Sequence, residues 1–314
     1  MQSSQKGKPC RLLLAIAMLL SIASRAQTDL DAIMMNKGQF CNGFQYTHSS
    51  WDHYWEGTRK RTNENIGTIT TQSVMYMANY GITDKLNLMA GAPYVWTKAS
   101  AGTLAGMKGI QDLSVFLKWI PLQQRIGKGT FTAFAIGGVS TPLANYVIDH
   151  LPLSLGLGST NLIGRAMVDY NYNRFTLTGS AAYVRRSNVK LDRTSYYDTE
   201  LHHTNEVHMP DAANYQLRAG YRGKQLIVEG LLTNWTTLGG FDITRQNMPF
   251  PSNRMNATSA GIYFKYTVPA LGNNLDLLGS ATTTLNGRNM GDATAYSVGA
   301  FYAFYFNKKS TTKK

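Results

Sequence analysis

Eight ionisable residues sit within apolar or aromatic stretches of this chain: Asp112, Lys118, Arg165, Asp169, Arg218, Glu229, Lys265 and Asp276. Charges placed this way could select a solute by its charge, or they could close on one another as ion pairs that fill a narrow interior. Both readings fit the spacing. Asp112, Lys118, Arg165, Asp169, Arg218, Glu229 and Lys265 form the candidate solute path, with Lys118, Arg165 and Arg218 the first to test. A second group, Glu200, His202, His203, Glu206 and His208, has the donor types that zinc or copper takes. A hydrated polar loop accounts for it as well, and no metal or other cofactor is expected. A third, His48 beside Ser49 and Ser50, is the one arrangement here that resembles a base next to a nucleophile. Neighbours in a strand point to opposite faces, so His48 and Ser49 are poorly placed to meet, and no catalytic residues are assigned.

The segments that must position these residues repeat with period two. From Thr70 to Tyr80, Val74, Tyr76, Ala78 and Tyr80 fall on one face, and from Lys85 to Thr97, Leu86, Leu88, Ala90, Ala92, Tyr94 and Trp96 do the same. A tight polar link, Gly81 to Lys85, joins the two, and a longer Gly/Ala/Ser-rich link runs from Lys98 to Lys108. The pattern recurs along the chain and predicts twelve strands, near 38–48, 67–80, 85–97, 109–119, 130–140, 160–172, 175–186, 212–222, 225–235, 256–266, 275–284 and 294–306. Connections after odd strands are mostly long, and those after even strands mostly short. Aromatic residues end the even strands (Tyr80, Trp119, Tyr172, Tyr221, Tyr266, Tyr305, Phe306) and several odd ones (Tyr46, Trp96, Tyr183, Trp235). Two aromatic rows at strand ends are what two membrane interfaces select. The expected fold is therefore all-β, a transmembrane antiparallel β-barrel of about twelve strands, long loops outside and short turns in the periplasm. A soluble β-sandwich would instead carry its aromatics mid-strand.

Length and charge agree with this. Lys6, Lys8 and Arg11 precede an apolar run, Leu12 to Ile22, that is followed by Ser24-Arg25-Ala26, the pattern of a secretory signal peptide over residues 1–26. The run is too short to span a bilayer as a helix. No later apolar run approaches that length. Removal of the leader would leave Cys41 alone, with no intramolecular disulfide. The net charge of +13 is concentrated in the leader and in a basic tail, 307–314, which leaves about +5 on the body and weak grounds for a nucleic-acid partner.

Register follows from one hairpin. A two-residue Gly223-Lys224 loop would pair Arg222 with Gln225, Tyr221 with Leu226, Ala219 with Val228 and Arg218 with Glu229. Tyr215, Ala219 and Tyr221 then face lipid, and Arg218 and Glu229 face a wet interior. A one-residue slip would move those charges into lipid, at about 2–4 kcal/mol for an arginine near the midplane. The same logic turns Leu113, Val115, Leu117 and Trp119 outward and Asp112, Ser114 and Lys118 inward.

The run Tyr80-Gly81-Ile82-Thr83-Asp84-Lys85-Leu86-Asn87-Leu88, then Pro93-Tyr94, Gly109-Ile110-Gln111-Asp112-Leu113 and Lys118-Trp119, resembles the outer-membrane family named for the meta-pathway of phenol degradation. Ser140-Thr141-Pro142 and Leu155 to Thr160 are similar to that family's next hairpin. The likeness runs from about Met75 to Tyr172. It implies a β-barrel of transporter type, without establishing phenol as the substrate, and it brings no catalytic residues. The expectation is thus a monomeric bacterial outer-membrane channel that passes a small solute, aromatic or hydrophobic by the resemblance, through a polar lumen of mixed charge. Its partners would be outer-membrane lipid, the solute and the barrel assembly machinery. The rival is a non-conducting barrel whose long loops, above all Ser187 to Asp211, bind a partner or surface. Whether Gln27 to Lys37 plugs the lumen is open at this stage.

Overall fold

The computed structural model describes residues 27–244 and 249–305. The expected leader, 1–26, and the basic tail, 307–314, lie outside the described residues. Twelve long strands follow one another: β1 Gln39–Trp51, β2 Ile69–Thr83, β3 Leu86–Ala99, β4 Asp112–Ile126, β5 Gly129–Pro142, β6 Asn161–Tyr172, β7 Phe175–Arg186, β8 Ala212–Arg222, β9 Leu226–Thr237, β10 Asn256–Val268, β11 Leu275–Arg288 and β12 Thr294–Tyr305. Each pairs antiparallel with its sequence neighbours, and β1 pairs with β12 from Gln39↔Tyr305 to Ser50↔Thr294, so the sheet closes. Closure satisfies every strand edge, the condition for crossing a bilayer with strands.

The two faces of the wall are inverted relative to a soluble protein. Outward side chains are apolar and bare, Leu162 at 64% exposure and Trp119 at 51% among them, while the inward Lys118 is fully buried. That exterior belongs in lipid. Exposed Tyr80, Trp119, Tyr172, Tyr221 and Tyr266 ring the short-turn end, and Tyr46, Tyr94 and Tyr183 the long-loop end. Asn173 takes the left-handed conformation (φ 56°) that the tight Asn173-Arg174 turn requires, one that Asn tolerates better than most residues.

Two expectations are corrected. The β8–β9 register pairs Arg222 with Ile227 and Tyr221 with Val228, two residues away from the predicted pairing. Gly223 does not adopt the positive φ of a type II′ turn, and Gly223 N donates to Leu226 O (2.8 Å) across a longer loop. An even shift preserves the faces, so Arg218 and Glu229 still meet, diagonally. The fourth strand also runs past Trp119: a bulge between Trp119 and Leu122 absorbs Pro121, and the β4–β5 hairpin continues to Ile126↔Gly129.

The long loops carry their own structure. Short hairpins pair His53–Glu56 with Arg59–Thr62, Val189–Lys190 with Glu206–Val207, and Tyr196–Tyr197 with Leu201–His202. Val189, Leu191, Val207, Met209 and Phe250 bury together beside Ile148, Leu157 and Phe241, joining three loops into one apolar cluster.

Candidate functional site: a lumen occupied by the chain's own first segment

Residues 27–38, just before β1, run inside the barrel. Gly38 N donates to Gly81 O (2.7 Å) and Lys37 N to Asp84 Oδ1 (2.9 Å), so the segment enters beside the β2–β3 turn. A Cβ on Gly81 would lie 2.0 Å from Asn36 O, which is why a glycine stands where the segment crosses the wall. Deeper in, Met34 packs on Ile120, Phe134, Ile136 and Met167, and Met35 on Cys41, Leu278, Phe301 and Ala303. Each such burial is worth about 1.5–3 kcal/mol, and methionine adapts to two differently shaped walls. Asn79 Nδ2 donates to Gln27 O (2.9 Å), and Met35 N to Gln27 Oε1 (3.1 Å), which fixes the far end.

The segment's polar atoms meet the wall's cations. Lys118 Nζ donates to Thr28 O (3.0 Å), to Ile33 O (3.0 Å), to Asp31 O and to the Asp31 carboxylate (3.2 Å). It also lies 5.5 Å from the centre of the Phe134 ring. Arg218 donates to Leu30 O (3.2 Å), and Arg165 faces Asp29 Oδ2 at 3.6 Å. The plug is thus held by directed contacts as well as by packing.

The remaining charges pair within the wall. Arg218 grips Glu229 (2.7 and 2.8 Å) with its guanidinium over the Tyr263 ring. Arg222 bridges Glu229 (2.9 Å) and Asp169 (3.2 Å), and Asp169 accepts further from Thr176 and Thr178. Lys265 pairs with Asp276 at 3.3 Å. Six of the seven proposed lumen residues therefore stand inside the barrel, five of them in the wall network or on the plug and Lys265 in a separate pair with Asp276. Asp112 does not join them: it accepts from Tyr146 of the long β5–β6 loop (2.8 Å). Sequence reasoning missed Arg222, which it placed at the end of a strand beside the turn, and Asp29 and Asp31. The signal that could have found the aspartates was the surplus of wall cations that remains once Arg222 is counted and Asp112 is set aside.

Below the plug, on the short-turn side, lies a cavity of about 970 Å³ whose lining includes Ile33, Met34, Thr132, Asn171, Arg222 and Lys265. Near the long loops a smaller one of about 280 Å³ is walled by Trp51, Tyr54, Ile66, Leu104 and Met290.

The other candidates separate. His48 shares the outer face with Phe44 and Tyr46 and bonds to Gln72 (3.2 Å), whereas Ser49 alternates to the other face. His202 stacks on Tyr196 and contacts Asp198 (3.0 Å), and His208 and Glu206 both turn to Asn188. Glu200 lies 4.0 Å from His202, but among the described residues no group of three or more His, Cys, Asp or Glu is arranged to hold a metal ion.

No family model and no curated protein matches the chain in sequence. Solved structures do match in shape. An outer membrane channel from Pseudomonas putida F1 superposes with a TM-score of 0.68 at 14% identity, covering 90% of this chain and 100% of that one. The barrel is of the outer-membrane type. The translocator domain of the autotransporter NalP from Neisseria meningitidis matches less closely, with a TM-score of 0.46 at 10% identity, covering 94% of this chain and 96% of that one.

Proposed function

We propose that this chain is a bacterial outer-membrane channel for a small solute, and that residues 27–38 close its lumen in the state described. The observation that carries this reading is the make-up of the inner face: Lys118, Arg165, Asp169, Arg218, Glu229 and Lys265 are buried inside the barrel, and Asp169 and Lys265 line a cavity of about 970 Å³. Selection would come from pore width and lining charge once the segment withdraws. The resemblance to the phenol meta-pathway family adds aromatic or hydrophobic molecules as the candidate class. No chemistry is assigned to the lumen, and the chain is taken to act as a monomer inserted by the barrel assembly machinery.

One observation favours the rival, a non-conducting barrel that displays its loops: the apolar cluster of Val189, Leu191, Val207, Met209 and Phe250 gives the loops a core of their own. Planar-bilayer recording of the refolded chain separates the two. Stepwise openings altered by Arg218→Ala support the channel, and a silent barrel with intact heat-modifiable migration supports the rival.

A further inference from the structure

We infer that the lumen is built to pass anions, and that Asp29 and Asp31 occupy the places an anionic solute's carboxylates would take. This rests on the channel reading above and adds the charge of the solute to it. Among the described residues the ion pairs inside the barrel draw five cations from the wall, Lys118, Arg165, Arg218, Arg222 and Lys265, and three carboxylates, Asp169, Glu229 and Asp276, while Asp84 at the exposed β2–β3 turn accepts only from the Lys37 amide. Arg218 and Arg222 close on Glu229 and Asp169, and Lys265 on Asp276. Two cations are left over. Those two, Lys118 and Arg165, are the ones whose carboxylate partners, Asp31 and Asp29, belong to the inserted segment.

The plug therefore neutralises a surplus that the wall carries by itself. When it withdraws, two cations face the open lumen with no wall carboxylate against them, a field that admits anions and repels cations. The bond to be exchanged on Arg165 is the looser one. Its contact with Asp29 is 3.6 Å, its Nη1 reaches the neutral Ser180 and Asn214 (both 3.1 Å), and its Nε is buried without a partner. A guanidinium offers a carboxylate two parallel donors, so an incoming anion can make the fork that Asp29 leaves incomplete. An uncharged molecule of the same size has no such advantage over Asp29, and a ligand shifts an equilibrium only by its differential affinity for the two states.

The test uses the refolded full chain, with heat-modifiable migration confirming the fold of each variant. Asp29→Asn with Asp31→Asn is recorded in a potassium chloride gradient. A reversal potential showing a several-fold preference for chloride, lost on adding Lys118→Met and Arg165→Met, is expected. Openings with no preference, or with a preference for potassium, overturn the inference and leave the channel reading standing. Silence in every variant removes the channel reading instead. The exchange is then decided by thiol labelling of Met35→Cys in a Cys41→Ser background: succinate should speed labelling several-fold while 1,4-butanediol does not, and equal rates overturn it.

Discussion

Replacing Lys118 by methionine removes the cation but keeps most of the side chain's volume, so the cost of its loss can be worked from its partners. Lys118 is fully buried and donates to the Asp31 carboxylate and to three backbone carbonyls of the plug. The substitution leaves the Asp31 carboxylate, 2% exposed, without its cation. Removing one partner of a buried pair costs about 3–5 kcal/mol, because the other charge stays uncompensated. All of this falls on the docked state, since the released segment carries Asp31 into water. At about 1.4 kcal/mol per tenfold, the released fraction should rise roughly a hundredfold to a few thousandfold. Met35→Cys in a Cys41→Ser background reports that fraction, because Met35 is fully buried while docked and labels only after release. Adding Asp31→Asn to Lys118→Met removes the stranded charge and should recover much of the loss, a coupling that only a direct interaction gives. A labelling rate changed less than about twofold by Lys118→Met, well under 1 kcal/mol, would refute the assignment of Lys118 as the plug's anchor.

Three further outcomes are expected. Gly81→Ala puts a Cβ 2.0 Å from Asn36 O, so it should raise Met35→Cys labelling while heat-modifiable migration stays intact, and unchanged labelling would count against that crossing point. Leu117→Arg faces lipid at a site 48% exposed and should destabilise the barrel by about 2–4 kcal/mol in a lipid refolding titration, whereas Leu117→Phe should be near neutral. Hydrogen bonds from Arg288 and Asn289 hold the Asp242 carboxyl below its ordinary value of 3.8. A depressed carboxylate stabilises above the unfolded pKa and loses that contribution as pH falls through the folded one. The protection factor of the Ile243 amide, which donates to Asn289, should therefore fall below pH 3.8 and stay level above it, and an Asp242→Asn variant should show no such step.

The barrel was legible because alternation is a local property: Leu113, Val115, Leu117 and Trp119 cannot share lipid with Asp112 and Lys118. The register at Gly223 was not, since the glycine's conformation decides the loop length and the residue pair alone does not reveal it. The faces survived that error only because the shift was by two. The fourth strand was expected to end near 119, yet a bulge takes the missing donor of Pro121 out of the ladder and β4 continues. The plug was the least legible part. Asp31 and Lys118 are 87 residues apart, and no periodicity in Thr28 to Met35 announces their meeting. Individual charges could be assigned inward, but whether each would face water, a wall partner or the plug depended on a count across six strands.

The most direct test of the central claim is the conductance of the refolded chain in a planar bilayer, with and without Asp29→Asn and Asp31→Asn. The account predicts rare, brief openings for the unaltered chain and frequent stepwise ones for the variant. A variant that folds with normal heat-modifiable migration yet conducts no more than the parent would contradict the reading of residues 27–38 as the element that closes the lumen.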